Sequence, residues 1–422
     1  MMFLYIILIG IFAAATWKKI ETGIFFICAL LPSYLIRFNI GGIPTTFLEI
    51  MVLIVIAVWV IRRFPFRDVR TDQIRPFLFP IALLLLAATI GIYISPDKFA
   101  AFGVWKAFFI EPILLFVVIQ DTIKKSSSLQ ENIFKAFGLS ALLVSVFGLI
   151  QYIFVIGIPA PWDLERRITS IFEYPNALAL FLGPIIVISW FEIMKATKST
   201  KVFWVLVSTL AMVNVFLAQS EAGIAALMIT AACALLLSKS TRRKTIITIL
   251  LLTTLLFTIP TSREYLIEKL TFADFSEQVR LSQWRETAEL LKDHPVFGAG
   301  LSGYPIVMKQ YHQELAYEIF QYPHNIFLNI WVELGLLGLI AFGYFVFGIW
   351  KLVWNTKNKF SHPSFSHSFT LLLFPLIFLE IFIHGLVDVP YFKNDLALMV
   401  WILIACAISS RTIQTSKTSL LS

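Results

Sequence analysis

Two kinds of side chain in this sequence could do chemistry: an imidazole at the start of a long apolar run, and guanidinium groups ahead of it. His324 follows Pro323 in Tyr322-Pro-His-Asn-Ile326. Proline ends whatever precedes it, so His324-Asn325 sit where an apolar helix begins. An imidazole titrates near neutral pH and can take a proton from a hydroxyl, although a histidine here is also an ordinary polar helix cap. Asn325, Asn329 and Glu333 are spaced by four and form one polar stripe on that helix. The Glu333 carboxyl lies about 13 Å from His324, nine residues on at roughly 1.5 Å each. A carboxyl that deep in a membrane helix is costly and is retained for function or assembly. Gly335 and Gly338 follow, small residues that admit a neighbouring backbone.

Arg280 and Arg285 belong to Arg280-Leu-Ser-Gln-Trp284-Arg285, ahead of His294-Pro-Val-Phe-Gly-Ala-Gly-Leu-Ser-Gly-Tyr304. Guanidinium groups suit bidentate contact with phosphate, so the pair is a candidate anion site. Arg166 and Arg167 form a second one, just before Pro175-Asn176. Pro175 fits a first helical turn, and Asn176 also fits as a plain helix-start residue. His384 and Asp388, in His384-Gly-Leu-Val-Asp388, could line the same cavity as His324. Lys106, Glu111, Glu49 and Glu380 fall inside apolar runs and read as charges paired within a bundle. Gly298 to Gly303 spells G-x-G-x-x-G but lacks the strand–turn–helix context of a dinucleotide site, so it reads as a tight turn. Cys28, Cys233 and Cys406 lie in apolar runs as small hydrophobes. Neither an Asp-x-Asp pair on the outer side nor a His/Cys set at zinc spacing occurs, and no metal or cofactor is expected.

The elements that must position these residues are membrane helices. The chain is 58% hydrophobic and 14% charged, with a mean hydropathy of +0.82, which excludes an ordinary soluble domain. The net charge of +8 could suggest nucleic acid, but the Lys and Arg sit in short loops, as membrane topology requires. The first apolar run lacks a basic start and carries Lys18-Lys19 after it, so it reads as a membrane helix and not a cleaved signal. Apolar spans fall at 3–16, 22–38, 44–61, 77–94, 100–120, 133–156, 174–194, 203–218, 220–237, 245–260, 325–350, 367–390 and 393–410. Several are shorter than a perpendicular helix needs, so the expectation is an all-α transmembrane bundle of about 12 spans.

One set of alternate loops holds Lys18-Lys19, Arg62-Arg63, Arg67, Arg70, Arg75, Lys124-Lys125, Lys195, Lys198, Lys201, Lys239, Arg242-Arg243-Lys244, Lys351, Lys357, Lys359 and Arg411. That set should be cytoplasmic. The N-terminus, loop 157–173, the Gln219-Ser220 turn, loop 261–322 and His324 then face outward. Loop 261–322 is the one sizeable soluble stretch, inserted in a single membrane domain, 1–422. Leu266, Leu270, Val279, Trp284, Ala288 and Leu291 recur among its charges, which predicts two or three amphipathic helices over the outer mouth of the bundle.

The pattern HN-x(7)-E-x-G-x-x-G at 324–338 resembles the signature of the O-antigen ligase and polymerase family of bacterial membrane glycosyltransferases. Arg280 to Gly300 is similar to the family's R-x(3)-W…hP-x-x-G-x-G segment, and Arg167 to Ala179 to its R-x-(T/S)…PN-x-x-A element. The resemblance covers roughly residues 160 to 345. It implies a GT-C-type architecture and a donor glycan carried on undecaprenyl diphosphate. It makes His324 the residue that activates an acceptor hydroxyl, and Arg280, Arg285, Arg166 and Arg167 the holders of the diphosphate. Asn325, Glu333, Asn176, His384 and Asp388 support them, without metal, on the outer face of the inner membrane. The acceptor is lipid A–core in ligases, a second lipid-linked glycan in polymerases and a protein hydroxyl in pilin-type transferases. Gln219-Ser220-Glu221-Ala222-Gly223 departs from the pattern, because many relatives carry an Arg where Glu221 stands. Either Arg166, Arg167 or Arg280 supplies that charge, or the donor differs. A transporter is the competing class, but the sequence shows none of the paired half-repeats common in transporters.

Overall fold

The computed structural model describes residues 2–65, 74–126, 128–238, 240–271, 274–313, 318–357 and 365–419. Arg67, Arg70, Lys239 and Lys359, which entered the topology argument, lie outside them. The helices run α1 Met2–Lys18, α2 Ile20–Ala29, α3 Phe47–Arg63, α4 Arg75–Ile94, α5 Lys98–Trp105 and α6 Glu111–Ile123. There follow α7 Leu129–Phe154, α8 Pro175–Lys195, α9 Lys198–Leu217, α10 Glu221–Leu237 and α11 Arg242–Thr258. The last group is α12 Pro260–Leu270, α13 Phe275–Asp293, α14 Tyr304–Val307, α15 Ile326–Lys357, α16 Phe365–Gly385 and α17 Asn394–Ser419. The chain is an all-α polytopic membrane protein. Six described stretches are long and apolar enough to cross a membrane, seven if the bent α11–α12 pair is one span, and five shorter apolar helices accompany them. The 261–322 stretch holds α12, α13 and the single turn α14; α13 stops just ahead of Pro295.

The chain folds as two compact units. The first comprises Met1–Phe79, Lys106–Gly223 and Pro390–Ser422. Its centre is α8, buried from Ala177 through Ser189, as a helix apolar on every side must be. Helix α9 packs along α8 and α7, and Asn214 of α9 donates to the Ser145 carbonyl of α7 at 3.1 Å. Where the sequence reading carried an apolar span to residue 38, Pro32 falls in a 3-10 turn, and a two-stranded hairpin follows. Its strands β1 (Arg37–Ile40) and β2 (Ile43–Thr46) pair antiparallel around Gly41-Gly42, a dipeptide suited to a two-residue hairpin turn. Between α5 and α6 the chain makes a π-helical turn, Lys106–Ile110. There Lys106 pairs with Glu49 of α3, as expected of a charge inside the bundle, and Tyr391 Oη donates to the Phe108 carbonyl at 2.6 Å.

The second unit comprises Pro80–Trp105 and Ile224–Val389. Helix α15 is broken at Gly335, whose φ of 68° lies in the left-handed region. At the break an intrahelical bond is exchanged for two bonds to the glycine-rich stretch. Leu336 N donates to Val296 O at 2.9 Å, and the Val332 carbonyl accepts from Ala299 N at 2.7 Å. Backbones this close exclude side chains: a Cβ on Gly298 would lie 2.3 Å from Val332 O, and one on Gly335 2.3 Å from Val296 O. Glycine is therefore required at both places. The G-x-G-x-x-G run is thus a docking turn, seated on α15 and, through Leu301 N to Gly91 O at 3.1 Å, on α4. Leu290, Leu291, Ala299, Tyr304, Met308 and Val332 close the core around it.

Gly335→Ala should cost on the order of 1–3 kcal/mol from the backbone conformation alone, before the clash with Val296 is counted. Thermal unfolding in detergent should show the lower midpoint; an unchanged midpoint would contradict the docking account.

Candidate functional site

Asn325 starts α15 as its cap, not as a member of its first turn. Its Oδ1 accepts from the Phe327 and Leu328 amides at 3.0 and 3.1 Å, satisfying two orphan donors of the helix start. Its Nδ2 donates to the Leu386 carbonyl at 2.8 Å, so one amide also fixes the turn after α16. His324, immediately before, has φ +43°, a left-handed conformation that only its surroundings can hold. Those surroundings are visible. Trp284 of α13 donates to the Pro323 carbonyl at 2.9 Å, and the rings of Phe320 and Tyr322 stand edge-on to the imidazole at 5.3 and 5.1 Å.

The turn that Asn325 holds carries Asp388. His324 Nδ1 faces Asp388 Oδ1 at 3.5 Å, and the same oxygen accepts from the Val389 amide at 2.8 Å. At 3.5 Å the contact is an ion pair in waiting and too long for a good hydrogen bond. The Asp388 side chain is wholly buried, whereas that of His324 is 18% exposed, so the carboxylate stands behind and the imidazole reaches solvent. Burial alone would push the Asp388 carboxyl up. The facing His324, the charge of His384 and the Val389 amide outweigh it and hold the group below its ordinary value. This arrangement can fix the ring of a general base and stabilise the imidazolium formed when the base takes a proton.

The other expected residues divide by unit. Arg280, partly buried, and Arg285, exposed, flank Trp284 on α13, and among the described residues neither guanidinium is paired with a carboxylate. His384 is fully buried on α16 with Nδ1 3.6 Å from Glu380 Oε1. Glu333 is engaged elsewhere: its Oε2 accepts from the Ser302 amide at 2.5 Å, which makes it a brace for the docking turn. Asn329, also buried, has no partner for its side-chain amide among the described residues.

Arg166, Arg167 and Asn176 belong to the first unit. Arg167 Nε donates to the Ala218 carbonyl at 3.2 Å and Nη2 to that of Gln219 at 3.4 Å, capping the end of α9, while the group stacks over Trp162. Arg166 lies over the Tyr152 ring and donates to the Tyr152 carbonyl at 3.0 Å. Asn176 Oδ1 accepts from Ser220 Oγ at 3.0 Å, so the Gln219-Ser220 turn is tied to the start of α8. Sequence reasoning missed Trp284 as a support for Pro323 and Ser220 as the partner of Asn176, because neither contact has a periodicity. Among the described residues no three His, Cys, Asp or Glu side chains are placed to hold a metal ion.

Residues 204–343 match the family described as O-Antigen ligase, the family to which the motifs pointed. A protein of Rickettsia conorii, whose name carries only a provisional assignment as a polysaccharide ligase, is 32% identical over 100 residues. That match covers 22% of this chain and 24% of the relative, so the chain spans about a quarter of the length of the relative it matches.

The lowered Asp388 carboxyl gives a sign for pH dependence. A group lowered in the folded state contributes stability above its ordinary value and loses it as pH falls through the lower folded value. Acidification across that window should lower the unfolding midpoint of wild type more than that of Asp388→Asn; parallel curves would refute it. Asn325→Ala should cost about 0.5–2 kcal/mol as a lost cap, seen as faster hydrogen exchange at the Phe327 and Leu328 amides.

Proposed function

We propose that this chain, matched to the O-antigen ligase family over residues 204–343, moves a glycan from undecaprenyl diphosphate to an acceptor hydroxyl on the outer face of a bacterial inner membrane. The observation that carries this reading is the His324–Asp388 pair at the start of α15, beside the Trp284-anchored turn of α13 that bears Arg280 and Arg285. The acceptor oxygen attacks the anomeric carbon, the bond from that carbon to the diphosphate oxygen breaks, and the hydroxyl proton passes to His324. Asp388 balances the resulting imidazolium. Guanidinium groups stabilise the charge growing on the leaving diphosphate, so the reaction proceeds without a metal. Arg280 and Arg285 carry that work, since Arg167 already caps α9 and Arg166 already donates to the Tyr152 carbonyl.

The chain is taken as one membrane domain of about 12 spans, with 261–322 as its extracytoplasmic helical insert. The acceptor is lipid A–core or a similar hydroxyl. A polymerase differs only in using a second lipid-linked glycan as acceptor, and the same residues serve it. No observation favours transport.

The test is glycan transfer by the full chain in lipid, from undecaprenyl-diphosphate glycan to candidate acceptors, with and without EDTA. Wild type should consume the donor in EDTA. His324→Ala and Arg280→Ala should each lower kcat by roughly 10²-fold or more, the scale of a lost general base or a lost oxyanion donor. Equal rates in wild type and both variants would remove these residues from the chemistry. The labelled product identifies the acceptor and separates ligase from polymerase.

A further inference from the structure

Two aromatic rings flank the imidazole on which the proposed reaction turns. Phe320 and Tyr322 stand edge-on to His324, with centroids at 5.3 and 5.1 Å and interplanar angles of 79° and 69°. They lie two residues apart in the stretch that leads to Pro323, and Gln321 between them is exposed. Ile319, just before, packs instead against the core of Leu290, Leu291 and Val332. Phe320, Tyr322 and His324 are each half-buried, so aromatic surface reaches solvent beside the imidazole. Trp284 already holds the Pro323 carbonyl, and Asp388 already faces Nδ1. An aliphatic pair would fill the same space. What two rings add is a flat, electron-rich face next to a group that must meet a hydroxyl.

Resting on the transferase reading above, we infer that Phe320 and Tyr322 form the acceptor subsite and that its ligand is a pyranose ring, stacked through its C–H face. Nδ1 of His324 faces Asp388, which leaves Nε2 for the acceptor. A hydroxyl that gives up its proton there must come within about 3 Å of the nitrogen. The group that carries the hydroxyl then lies beside the two rings. A pyranose suits that place, because it has hydroxyls on its rim and C–H groups on its flank. It can lay the flank on an aromatic face, where the quadrupole is negative, while one rim hydroxyl points at the imidazole.

The rings therefore separate acceptors by shape. A serine or threonine hydroxyl on a peptide brings no flat C–H face, so it gains nothing from them. Lipid A–core and a lipid-linked glycan both bring one, and the subsite serves ligase and polymerase alike. Aromatic residues with a few placed polar groups are also the usual lining of a small-ligand site, and here the polar group is His324 itself. Loss of either ring falls on acceptor binding.

The test uses the full chain in lipid nanodiscs, with methyl glucoside and methyl galactoside as soluble sugars and a serine-bearing peptide as the contrasting hydroxyl. Saturation-transfer NMR reads binding, and consumption of undecaprenyl-diphosphate glycan with a glycan acceptor reads turnover. Wild type should bind the glycosides and not the peptide, and irradiation of aromatic protons should label the C–H protons of one pyranose face. Phe320→Leu and Tyr322→Leu should each weaken glycoside binding and raise KM for the acceptor by about three- to tenfold. Tyr322→Phe, which keeps a ring, should lie nearer to wild type than Tyr322→Leu. Wild type that binds no glycoside, or binds the peptide as well, overturns the inference. So does equal glycoside binding by wild type and folded leucine variants; turnover by wild type would then leave the transferase reading intact. A fall in kcat with the acceptor KM unmoved also overturns it, because the rings would serve only to hold His324. Should the leucine variants not fold, the labelling of wild type decides, and labels on both faces or on neither overturn the inference. If glycosides bind through the rings while no glycan is consumed, the transferase reading fails and the sugar site stands.

Discussion

Two backbone hydrogen bonds, Ala299 to Val332 and Leu336 to Val296, carry the second unit. An unbroken helix would have used the Val332 carbonyl and the Leu336 amide on each other. Within a bilayer no water can replace a lost backbone bond, so a helix can open only where another segment takes over both groups. The 296–299 stretch does so, and the opening at Gly335 is therefore also a socket. Everything that leads to His324 hangs from it: α13 ends at the socket, and Trp284 of α13 holds the carbonyl just before the imidazole.

The same constraint explains the placement of charge. Three of the buried acids meet a specific answer: a lysine for Glu49, a backbone amide for Glu333, an imidazole for Asp388. These answers differ in what they permit. Amides are fixed dipoles, so Glu333 is locked into structure. An imidazole can gain and lose a proton, so in the proposed reaction Asp388 is coupled to that event. The glycine-rich turn and the His324 turn thus use similar carboxylates for opposite purposes.

Much of this was legible in the sequence, for physical reasons. Hydropathy marked the helices because a membrane admits little else, and Pro323-His324-Asn325 marked a helix start because proline and asparagine leave few alternatives there. The four-residue spacing of Asn325, Asn329 and Glu333 did not reveal that the three residues serve separate duties: a cap, an unpaired buried amide and a brace. Periodicity reports a shared face, not a partner. The partners came from chain distant in sequence, Leu386 for Asn325 and Ser302 for Glu333. The hairpin 37–46 was hidden for another reason, since its apolar residues read as the flanks of neighbouring spans. Arg166-Arg167 looked like one anion site, yet one guanidinium already serves a helix end.

The left-handed backbone at His324 has a consequence of its own. A histidine there carries strain on the order of 1–3 kcal/mol, which a glycine would not. If His324 is the base proposed above, replacement by glycine should therefore yield a protein that melts higher and transfers nothing. Position 324 would then be a place where selection has kept the less stable residue, a trade of durability for activity confined to one peptide unit. Ordinary core positions behave the other way, losing stability and function together. A screen for thermal tolerance would accordingly favour inactive chains at this position.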